Sequence, residues 1–484
     1  MTADWFLDSI DPTLTSISTA GSGSNEDSPG RSTSTAGSTS TSTSAGRCTF
    51  RGADRLASAF GVTELAGASI GSAALETQRL RELLGAPAAP VEVDLRLASL
   101  WFAMTIVPDG WSLPPVWDDL AGDYPTADGW IRLHTNASHH RAAMLRALGC
   151  APERDAVGTV LRSMAAADAE SAVVEAGGCA AAMRSLGDWD RHPQGAAVAA
   201  EALIDLAWHP SATPVGASGA RGTPERPLAG VRVLDLTRVL AGPVATRFLA
   251  GLGAEVLRID PVDWNEPAVI PDVIRGKRAA RLDLRSAEGR DRLEALIGAA
   301  DLFVHGYRPE ALERLGFAAP IRRALNPGLV DVCLDAYGWT GPWAARRGFD
   351  SLVQMSTGVA HEGRAAGVEP PRPLPVQALD HATGYLLAAA ALRGWRHRLR
   401  DGRGSTGRVS LARTARPLVD GPRGDPEHRF RPLDSDDLDP ELEATPWGPA
   451  RRVRPPVRFD GMSLRWPSPT QDLGTAEPCF TPAN

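Results

Sequence analysis

The sequence predicts an α/β protein built on a doubly wound parallel sheet, preceded by a mostly helical α+β half-domain and a disordered leader. Three observations support this prediction. Strand-like and helix-like segments alternate after residue 227, residues 51–208 are rich in Ala and Leu with helical spacing, and residues 12–46 are almost entirely Ser, Thr, Gly and Ala. Such a leader cannot bury enough apolar surface to offset chain entropy. We therefore divide the chain into these regions: a leader (1–50), the helical half-domain (51–208), a Pro/Gly/Ser linker (209–226), the sheet domain (227–420) and an irregular tail (421–484).

The sheet domain consists of apolar strands separated by amphipathic helices. The predicted strands are 231–236, 254–260, 278–284, 301–307 and 328–338. The predicted helices are 242–253, 286–300 and 309–317. Pro243 near a helix start and Ser286 as an N-cap agree with these boundaries. Alternation at this spacing implies parallel strands joined by right-handed crossovers, a Rossmann-like arrangement in which ligands bind at the carboxyl ends of the strands.

The composition limits the classes of partner. The formal net charge is −7, which argues against a nucleic-acid-binding protein because that function requires a basic surface. No apolar run approaches the ~20 residues of a membrane span, and the first residues lack the features of a signal peptide. The five cysteines are scattered without metal-ligand spacing, so we expect free thiols, a cytoplasmic location and no metal site.

Three short motifs suggest other functions. Asp260 ends a strand, as the ribose-binding acid of an NAD site would, but the preceding turn lacks the GxGxxG fingerprint. Ser69 lies in GASIG, which matches a nucleophile elbow, but no strand precedes it. His134, His139 and His140 lie close together without an acidic or thiol partner, so we expect solvated or capping histidines. Structural roles are favoured for all of them.

An ordered series of longer motifs points to one chemistry. The series is VRVLDLTRVLAGPVATRFLAGLG, RGKRAARLDL, DLFVHGYRPEALERLGF, NPGLVDVCLDAYGWTGPW and LPVQALDHATGYLLAAAAL. Over residues 227–420 the chain resembles the family III CoA-transferases, which include formyl-CoA transferase, carnitine CoA-transferase and the α-methylacyl-CoA racemases. The resemblance implies small-molecule substrates, an acyl-CoA and a carboxylic acid. It also implies a homodimer of interlocked chains.

The resemblance assigns the family's nucleophilic aspartate to Asp380, in ALDHATGYLLAAAAL. A carboxylate there would attack an acyl-CoA thioester and pass through aspartyl-anhydride and aspartyl-CoA intermediates. We expect a helix at 381–395, whose positive end would favour the ionised form of Asp380.

The resemblance also assigns the contacts with CoA. Lys277 is the one lysine in the chain and falls where the family has a basic residue near the CoA phosphates. Arg314 matches another CoA contact, and Tyr307 matches an aromatic residue near the adenine. The backbone turn against the nucleotide corresponds to Val239, Leu240 and Ala241.

The chain departs from the family pattern at several points. Leu240 stands where the family often has a polar side chain. Phe349 replaces the histidine of the racemases, and racemisation needs a base, so a racemase is disfavoured. Family members also continue for well over a hundred residues beyond the nucleophile, through a small domain, whereas here only the tail comes after it.

The N-terminal half resembles that missing part. Residues 65–102 are similar to 379–415, with Gly67 opposite Asp380. Residues 128–149 and 176–204 resemble the small domain and the stretch after it. We interpret this half as a degenerate second-half copy that completes the site. The alternatives are a non-catalytic CoA-binding relative and, less favoured, a racemase or an NAD-dependent dehydrogenase.

Overall fold

The computed structural model describes Phe6 and residues 48–210, 222–364 and 370–481. The predicted disorder of residues 12–46 lies outside these ranges, as does most of the predicted linker. The strands are β1 (Cys48–Arg51), β2 (Val91–Asp94), β3 (Ile106–Pro108), β4 (Gly122–Pro125), β5 (Trp130–Leu133), β6 (Ala180–Ala182), β7 (Asp205–Trp208), β8 (Arg232–Leu236), β9 (Glu255–Asp260), β10 (Lys277–Arg281), β11 (Leu302–His305), β12 (Val330–Asp335), β13 (Ser405–Ser410), β14 (Glu443–Thr445), β15 (Gly448–Arg452) and β16 (Val457–Arg458).

The helices of the N-terminal half are Val62–Leu83, Leu95–Trp101, Ser138–Leu148, Arg154–Arg162, Ala166–Glu175, Leu186–Arg191 and Pro193–Ala200. Those of the C-terminal half are Ala241–Gly251, Ile270–Val273, Ala287–Ala299, Pro309–Arg314, Ala319–Leu325, Asp350–Ser356, Val359–Glu362, Ala378–Asp401 and Leu411–Asp420. A 3₁₀ turn forms at Ser435–Asp437. The helices predicted in the sheet domain are all present, with ends that differ by a few residues.

A seven-stranded sheet forms the centre of the molecule, in the order β10–β9–β8–β11–β12–β13–β7. Its first six strands run parallel. The seventh, β7, comes from the N-terminal half and pairs antiparallel with β13. The structure is thus a mixed α/β fold with a mostly parallel sheet, as the alternation of strands and helices predicts. Counted from β8, the parallel strands have the order 3-2-1-4-5-6, so the strand order reverses between β8 and β11.

Alternate residues of the parallel strands enter two separate apolar clusters. Val233 packs into one cluster with Val244 and Phe248 of the helix Ala241–Gly251. Its neighbour Leu234 packs into the other, with Leu293 of the helix Ala287–Ala299. Burial on both faces explains why the sequences of these strands are almost entirely apolar, instead of alternating between apolar and polar residues.

The N-terminal half packs directly on the sheet domain. Its longest helix, Val62–Leu83, lies along Ala378–Asp401 and shares an apolar cluster with it. Between them the fully buried carboxylate of Glu76 accepts hydrogen bonds from Arg393 Nε at 3.0 Å and Arg396 Nη2 at 3.2 Å. The two halves therefore share one continuous core.

The prediction of an irregular tail is wrong for residues 443–458. Strand β15 pairs with β14 and with β3, and β16 pairs with β2. These strands are two to five residues long and prolines lie between them, so they give no periodic signal. They form because the N-terminal half offers strand edges that complete them.

Among the described residues, no helix is both long and apolar enough to cross a membrane. The cysteines at 48, 150, 179, 333 and 479 all lie outside disulfides, as expected from their spacing. The cytoplasmic location stays a prediction from the sequence.

Candidate active site

The reversal of strand order between β8 and β11 places two loops side by side. One loop extends from β8 through Val239 into the helix Ala241–Gly251. The other extends from β11 and carries Tyr307. In open α/β sheets, ligands bind in the crevice at this position, outside the carboxyl ends of the strands. The predicted nucleotide turn and the predicted adenine contact thus flank one crevice.

The turn itself is strained. Val239 has φ = 65°, and it is the one non-glycine residue with positive φ in the part of the chain that the structure describes. For a β-branched residue this conformation is a genuine outlier and costs about 1–3 kcal/mol. The Val239 amide donates a hydrogen bond to Glu266 Oε1 at 2.6 Å, which helps to hold the turn. Leu240 is then the N-cap residue of the helix that begins at Ala241.

Lys277 lies beneath this turn and is buried. Its ammonium donates to Asp235 Oδ2 at 3.2 Å, to the Pro243 carbonyl at 2.8 Å and to Thr246 Oγ1 at 2.5 Å. Burial lowers the pKa of Lys277 to about 8. An ammonium has three donors, and all three have acceptors inside the protein. A phosphate contact would therefore require one of these bonds to break.

The same buried network shapes the turn. Asp235 Oδ1 accepts hydrogen bonds from the Thr237 amide at 2.9 Å and from its hydroxyl at 2.5 Å. A Cβ built on Gly242 would overlap the Thr237 side chain, so only glycine fits there. The contacts of Lys277 thus join strand β8 to the helix Ala241–Gly251 beneath the turn.

Tyr307 is half-buried and belongs to an aromatic–arginine cluster. Arg238 donates to the Tyr307 hydroxyl at 2.8 Å, and its guanidinium lies 4.7 Å from the Trp264 ring and 5.2 Å from the Tyr307 ring. Arg314 lies apart from these contacts, at the end of Pro309–Arg314, where its exposed side chain pairs with Glu310. The sequence analysis missed Arg238 and Trp264, although Arg238 directly precedes the turn.

The helix that carries Asp380 begins at Ala378, three residues earlier than predicted. Its first turn is capped from a distant segment by Asp350. The Asp350 carboxylate accepts hydrogen bonds from the amides of Leu379 at 2.8 Å and Asp380 at 3.0 Å, and from the side chain of Gln354. The carboxylate of Asp350 therefore caps this helix, at the end where we expected the carboxyl group of Asp380.

Both carboxyl groups are buried, and Asp380 is 6% exposed. Burial raises the pKa of Asp380 well above its ordinary value, and the neighbouring charge of Asp350 raises it further. Burial also raises the pKa of Asp350, to about 6, although the two amides oppose the shift. The helix end was expected to favour the ionised form of Asp380, whereas desolvation and a second carboxylate shift its pKa in the opposite direction.

A cavity of about 440 Å³ lies between the two halves of the chain, beside this pair. The sheet domain contributes Leu240 from the turn, together with Asp350 and His381. The N-terminal half contributes Phe102, Ala103, Met104, Val116, Trp117 and Arg132. The cavity is of a size that suits a small ligand. Asp380 is not among its lining residues but is the direct neighbour of His381, which is.

His381 was not recognised from the sequence, although it comes directly after Asp380. Its ring stacks on Phe102, with centroids 5.1 Å apart. Neither ring nitrogen has a hydrogen-bond partner among the described residues. Burial lowers the pKa of His381 to about 3, so the ring is neutral at physiological pH. A neutral imidazole facing the cavity offers one donor and one acceptor to a ligand.

The alternative motifs have structural roles. Ser69 lies inside the helix Val62–Leu83, where its hydroxyl donates to the Ala66 carbonyl, so it is not at an elbow. Asp260 pairs with Arg258 inside the protein. The expectation of solvated histidines holds for exposed His139 but is wrong for two others: His134 and His140 are both buried.

Phe349, which replaces the racemase histidine, stacks on His134, with centroids 3.6 Å apart. Among the described residues, no group of three or more His, Cys, Asp or Glu side chains could hold a metal ion.

Comparison with known proteins supports the resemblance. Residues 228–424 match the family model described as CoA-transferase family III. An acyl-CoA transferase of Fusarium pseudograminearum is 34% identical over 214 residues, which are 40% of this chain and 46% of that protein. The probable fatty acyl-CoA transferase Rv3272 of Mycobacterium tuberculosis is 33% identical over 193 residues, which are 37% of this chain and 49% of that protein.

The succinyl-CoA:glutarate CoA-transferase of Mus musculus is 33% identical over 192 residues, covering 37% of this chain and 44% of that protein. The crystal structure of Rv3272 in its orthorhombic form is 32% identical and covers 40% of this chain and 56% of that chain, with a TM-score of 0.38. The chain thus spans about half the length of the curated relatives it matches. The similarity of the N-terminal half to the family stays a prediction, whereas residues 228–424 match the CoA-transferase family III model.

Proposed function

We propose that the protein transfers CoA from an acyl-CoA donor to a carboxylic acid, with Asp380 as the nucleophile. One observation carries the proposal. Leu240 of the nucleotide turn and His381, the direct neighbour of Asp380, line the same cavity. A CoA bound against the turn would therefore direct its thioester toward the start of the helix Ala378–Asp401.

In the donor half-reaction, the Asp380 carboxylate attacks the thioester carbonyl. The C–S bond breaks, and CoA leaves as the thiolate, which gives an anhydride between Asp380 and the acyl group. The thiolate then attacks the aspartyl carbonyl of this anhydride. The donor's carboxylate is released, and an aspartyl-CoA thioester remains.

The acceptor half-reaction runs through the same steps in reverse order. The carboxylate of the second acid attacks the aspartyl-CoA carbonyl and expels the thiolate, which forms a second anhydride. The thiolate attacks the carbonyl of the acceptor in that anhydride. The product acyl-CoA leaves, and the Asp380 carboxylate is regenerated.

The nucleophile must be ionised, so the raised pKa of Asp380 has a functional consequence. Two buried carboxyl groups whose charges interact lose their protons in coupled steps that belong to the pair. We therefore expect the rate to rise with pH as the pair of Asp350 and Asp380 ionises. The neutral ring of His381 adds no positive charge that would favour this ionisation.

For CoA itself, we propose contacts at Val239, Leu240 and Ala241, at the N-terminal end of the helix Ala241–Gly251, and at Tyr307. Arg314 is exposed and can turn from Glu310 toward a phosphate. Lys277 is proposed to act indirectly, since it holds the turn from beneath. Coenzyme A enters as a substrate in this scheme, and no metal takes part.

The N-terminal half is proposed to complete the site, as a degenerate second-half copy would. The support is that it supplies one wall of the cavity, including Phe102 and Trp117. We also propose that the sheet is doubly wound, since its strand order and the apolar clusters on its two faces fit that arrangement. The family resemblance suggests a homodimer, which sedimentation would test.

The test is a covalent trap. The protein is incubated with a panel of acyl-CoAs, quenched with hydroxylamine or borohydride, and digested for peptide mass spectrometry, with Asp380→Ala in parallel. A modification of the peptide that contains Asp380, absent from the variant, is the expected result. A modification that persists in the variant would exclude Asp380 as the nucleophile.

A second candidate function is a CoA-binding protein without transferase activity. It is favoured by the position of Asp380, which is buried, has a raised pKa and does not line the cavity. CoA binding without any adduct, for every donor and at pH values up to 9, would establish this function instead.

A further inference from the structure

The wall that the N-terminal half contributes to the cavity carries a cation. Arg132 lies on β5 and is the one basic residue among those that line the cavity, apart from neutral His381. The carboxylates on the same lining are those of Asp350 and Asp272. Asp350 caps the helix Ala378–Asp401, and Asp272 pairs with Arg247 at 3.0 Å. Each has a partner other than Arg132.

The guanidinium of Arg132 has few partners of its own. Its Nη1 donates to Asp123 Oδ1 at 2.8 Å, and its central carbon lies 4.9 Å from the Trp117 ring. Its Nε is buried and has no hydrogen-bond partner among the described residues. Because arginine has five N–H donors in a rigid fork, this one ion pair leaves most of them without a protein acceptor in the part of the chain that the structure describes. A buried donor without an acceptor costs about 1–3 kcal/mol.

An anionic ligand would remove this cost. Carboxylates bind arginine in a bidentate manner, with two parallel hydrogen bonds, and such pairs are stronger than neutral hydrogen bonds. The rest of this wall is apolar, being formed by Phe102, Met104 and Val116. The cavity therefore combines a cationic contact with a surface suited to a hydrocarbon chain.

We propose that Arg132 binds the carboxylate of the acid substrate and thereby determines which acids accept CoA. This inference rests on the proposed function and deepens it, because it names the residue and the chemical class that it selects. The substrate class is a small carboxylic acid with an apolar body. Arg132 acts on specificity and binding, whereas Asp380 carries the covalent chemistry.

The experiment measures acid binding directly by titration calorimetry, with butyrate and glutarate as probes and without any acyl-CoA. The wild-type protein is compared with Arg132→Gln and Arg132→Lys. We expect the Gln variant to bind the acids about tenfold more weakly or worse, and the Lys variant to lose less because it keeps the charge. Loss for glutarate alone would assign Arg132 to a second carboxylate of the acid, and loss for both would assign it to the carboxylate that reacts.

Arg184→Gln is the matched control. Arg184 lies in the same half and resembles Arg132 in pairing with a carboxylate, Glu170, and in facing an indole, that of Trp343. It does not line the cavity, so its variant should bind the acids within about twofold of the wild type. Asp123→Asn adds a second comparison, since removal of the competing carboxylate should leave acid binding unchanged or tighter.

Circular dichroism and CoA binding show whether each variant is folded. Equal affinity of the acids for the wild type and for a folded Arg132→Gln protein would overturn the inference. So would a wild-type protein that binds neither acid. Failure of the proposed function would appear separately, as the absence of an Asp380 adduct in the trapping experiment.

Discussion

Two regions of the molecule share a helix–strand–helix arrangement but differ in the side chains around the first helical turn. Val62–Leu83 is succeeded by strand β2 and directly by the helix Leu95–Trp101. In the same way, Ala378–Asp401 is succeeded by β13 and directly by Leu411–Asp420. In both regions the last residue of the strand caps the helix with its side chain. Asp94 accepts from the Leu97 amide, and Ser410 accepts from the Arg413 amide.

The surroundings of the first helical turn distinguish the two regions. Asp380 lies beside the carboxylate of Asp350 and close to the cavity. At the aligned position Gly67, a Cβ would overlap Leu95 Cδ2 and lie 3.3 Å from Phe50. One unit thus has a buried carboxyl group at this position, next to a residue that lines the cavity, whereas the other fills the same space with apolar packing. The two units have the same helix–strand–helix arrangement, and the neighbouring elements set the environment of the first helical turn.

The largest effect is expected at the position that distinguishes the two units. Asp380→Asn should lower the turnover rate by about a thousandfold or more, equivalent to about 4 kcal/mol, because the nucleophile is lost. Steady-state kinetics with the donor identified by trapping would measure it. Gly67→Ala is the matched change in the other unit and should leave the rate of the folded protein near that of the wild type. A rate lost equally in both variants would contradict the division of roles.

The next prediction concerns the buried carboxylate that joins the two long helices. Glu76→Ala removes the buried carboxylate that joins Val62–Leu83 to Arg393 and Arg396 of the other unit. We expect the free energy of unfolding to fall by about 2–3 kcal/mol, since the arginines keep some access to water and are only partly stranded. Urea denaturation would measure the change. Glu82→Ala, in the last turn of the same helix, should cost far less.

The pair of Asp350 and Asp380 should also make the free energy of unfolding depend on pH. For a carboxyl group whose pKa is raised on folding, stability is lost as pH rises from the unfolded value, 3.8, through the folded value, about 6 for Asp350. The variant with both Asp350→Asn and Asp380→Asn lacks this loss. Relative to the wild type, its free energy of unfolding should therefore gain at least about 2–3 kcal/mol between pH 4 and 7, the share of Asp350 alone, measured by urea denaturation at each pH. A constant difference across this range would show that the pair does not titrate as described.

Two aligned glycines test how tightly each unit is packed. A Cβ on Gly384 would overlap the carbonyl oxygen of Ala241, whereas a Cβ on Gly71 would lie 3.1 Å from Cys48 Sγ. Gly384→Ala should cost about 2 kcal/mol and disturb the nucleotide turn, because backbone must move. Gly71→Ala should cost less than about 1 kcal/mol, since the thiol can shift. Thermal unfolding and CoA affinity would be compared, and similar losses in both variants would contradict this difference.

The smallest effects are expected at the side-chain helix caps, which both units have. Asp94→Ala and Ser410→Ala each remove one helix cap and should lower stability by about 1 kcal/mol. Neither should alter the affinity for CoA, because neither side chain lines the cavity. Denaturant titration and calorimetry would check both statements. A cap variant that lost CoA binding while still folded would contradict the view that the caps are purely structural.

The sequence predicted the features that depend on neighbouring residues. The strands from β8 to β12 and the absence of a nucleophile elbow at Ser69 can be inferred from local patterns, whereas the turn at Val239 was implied by the family resemblance. The cap that Asp350 places on the helix of Asp380 could not be predicted, since thirty residues separate the two side chains and nothing local joins them. The cavity wall at Arg132 was missed for the same reason.

Burial explains why the charged side chains of Asp380 and Lys277 differ from what the sequence suggested. A helix start near Asp380 suggested an ionised carboxyl group, but desolvation by the surrounding core raises its pKa. The basic position at Lys277 suggested a phosphate contact, but the ammonium is enclosed by acceptors from β8 and the next helix. A sequence shows which residues carry charge, whereas the packing of distant segments decides which of them water can reach.

The strands near the end of the chain affect how the protein can be made. Edges of β2 and β3, formed early in synthesis, find their partners β16 and β15 only when residues 448–458 have emerged. Until then the nascent N-terminal half presents unpaired backbone, which is a template for aggregation. A chain stopped after Asp420 would contain the proposed nucleophile and yet keep these edges permanently bare. Such a chain should aggregate more readily than the full one, whether or not its chemistry is intact.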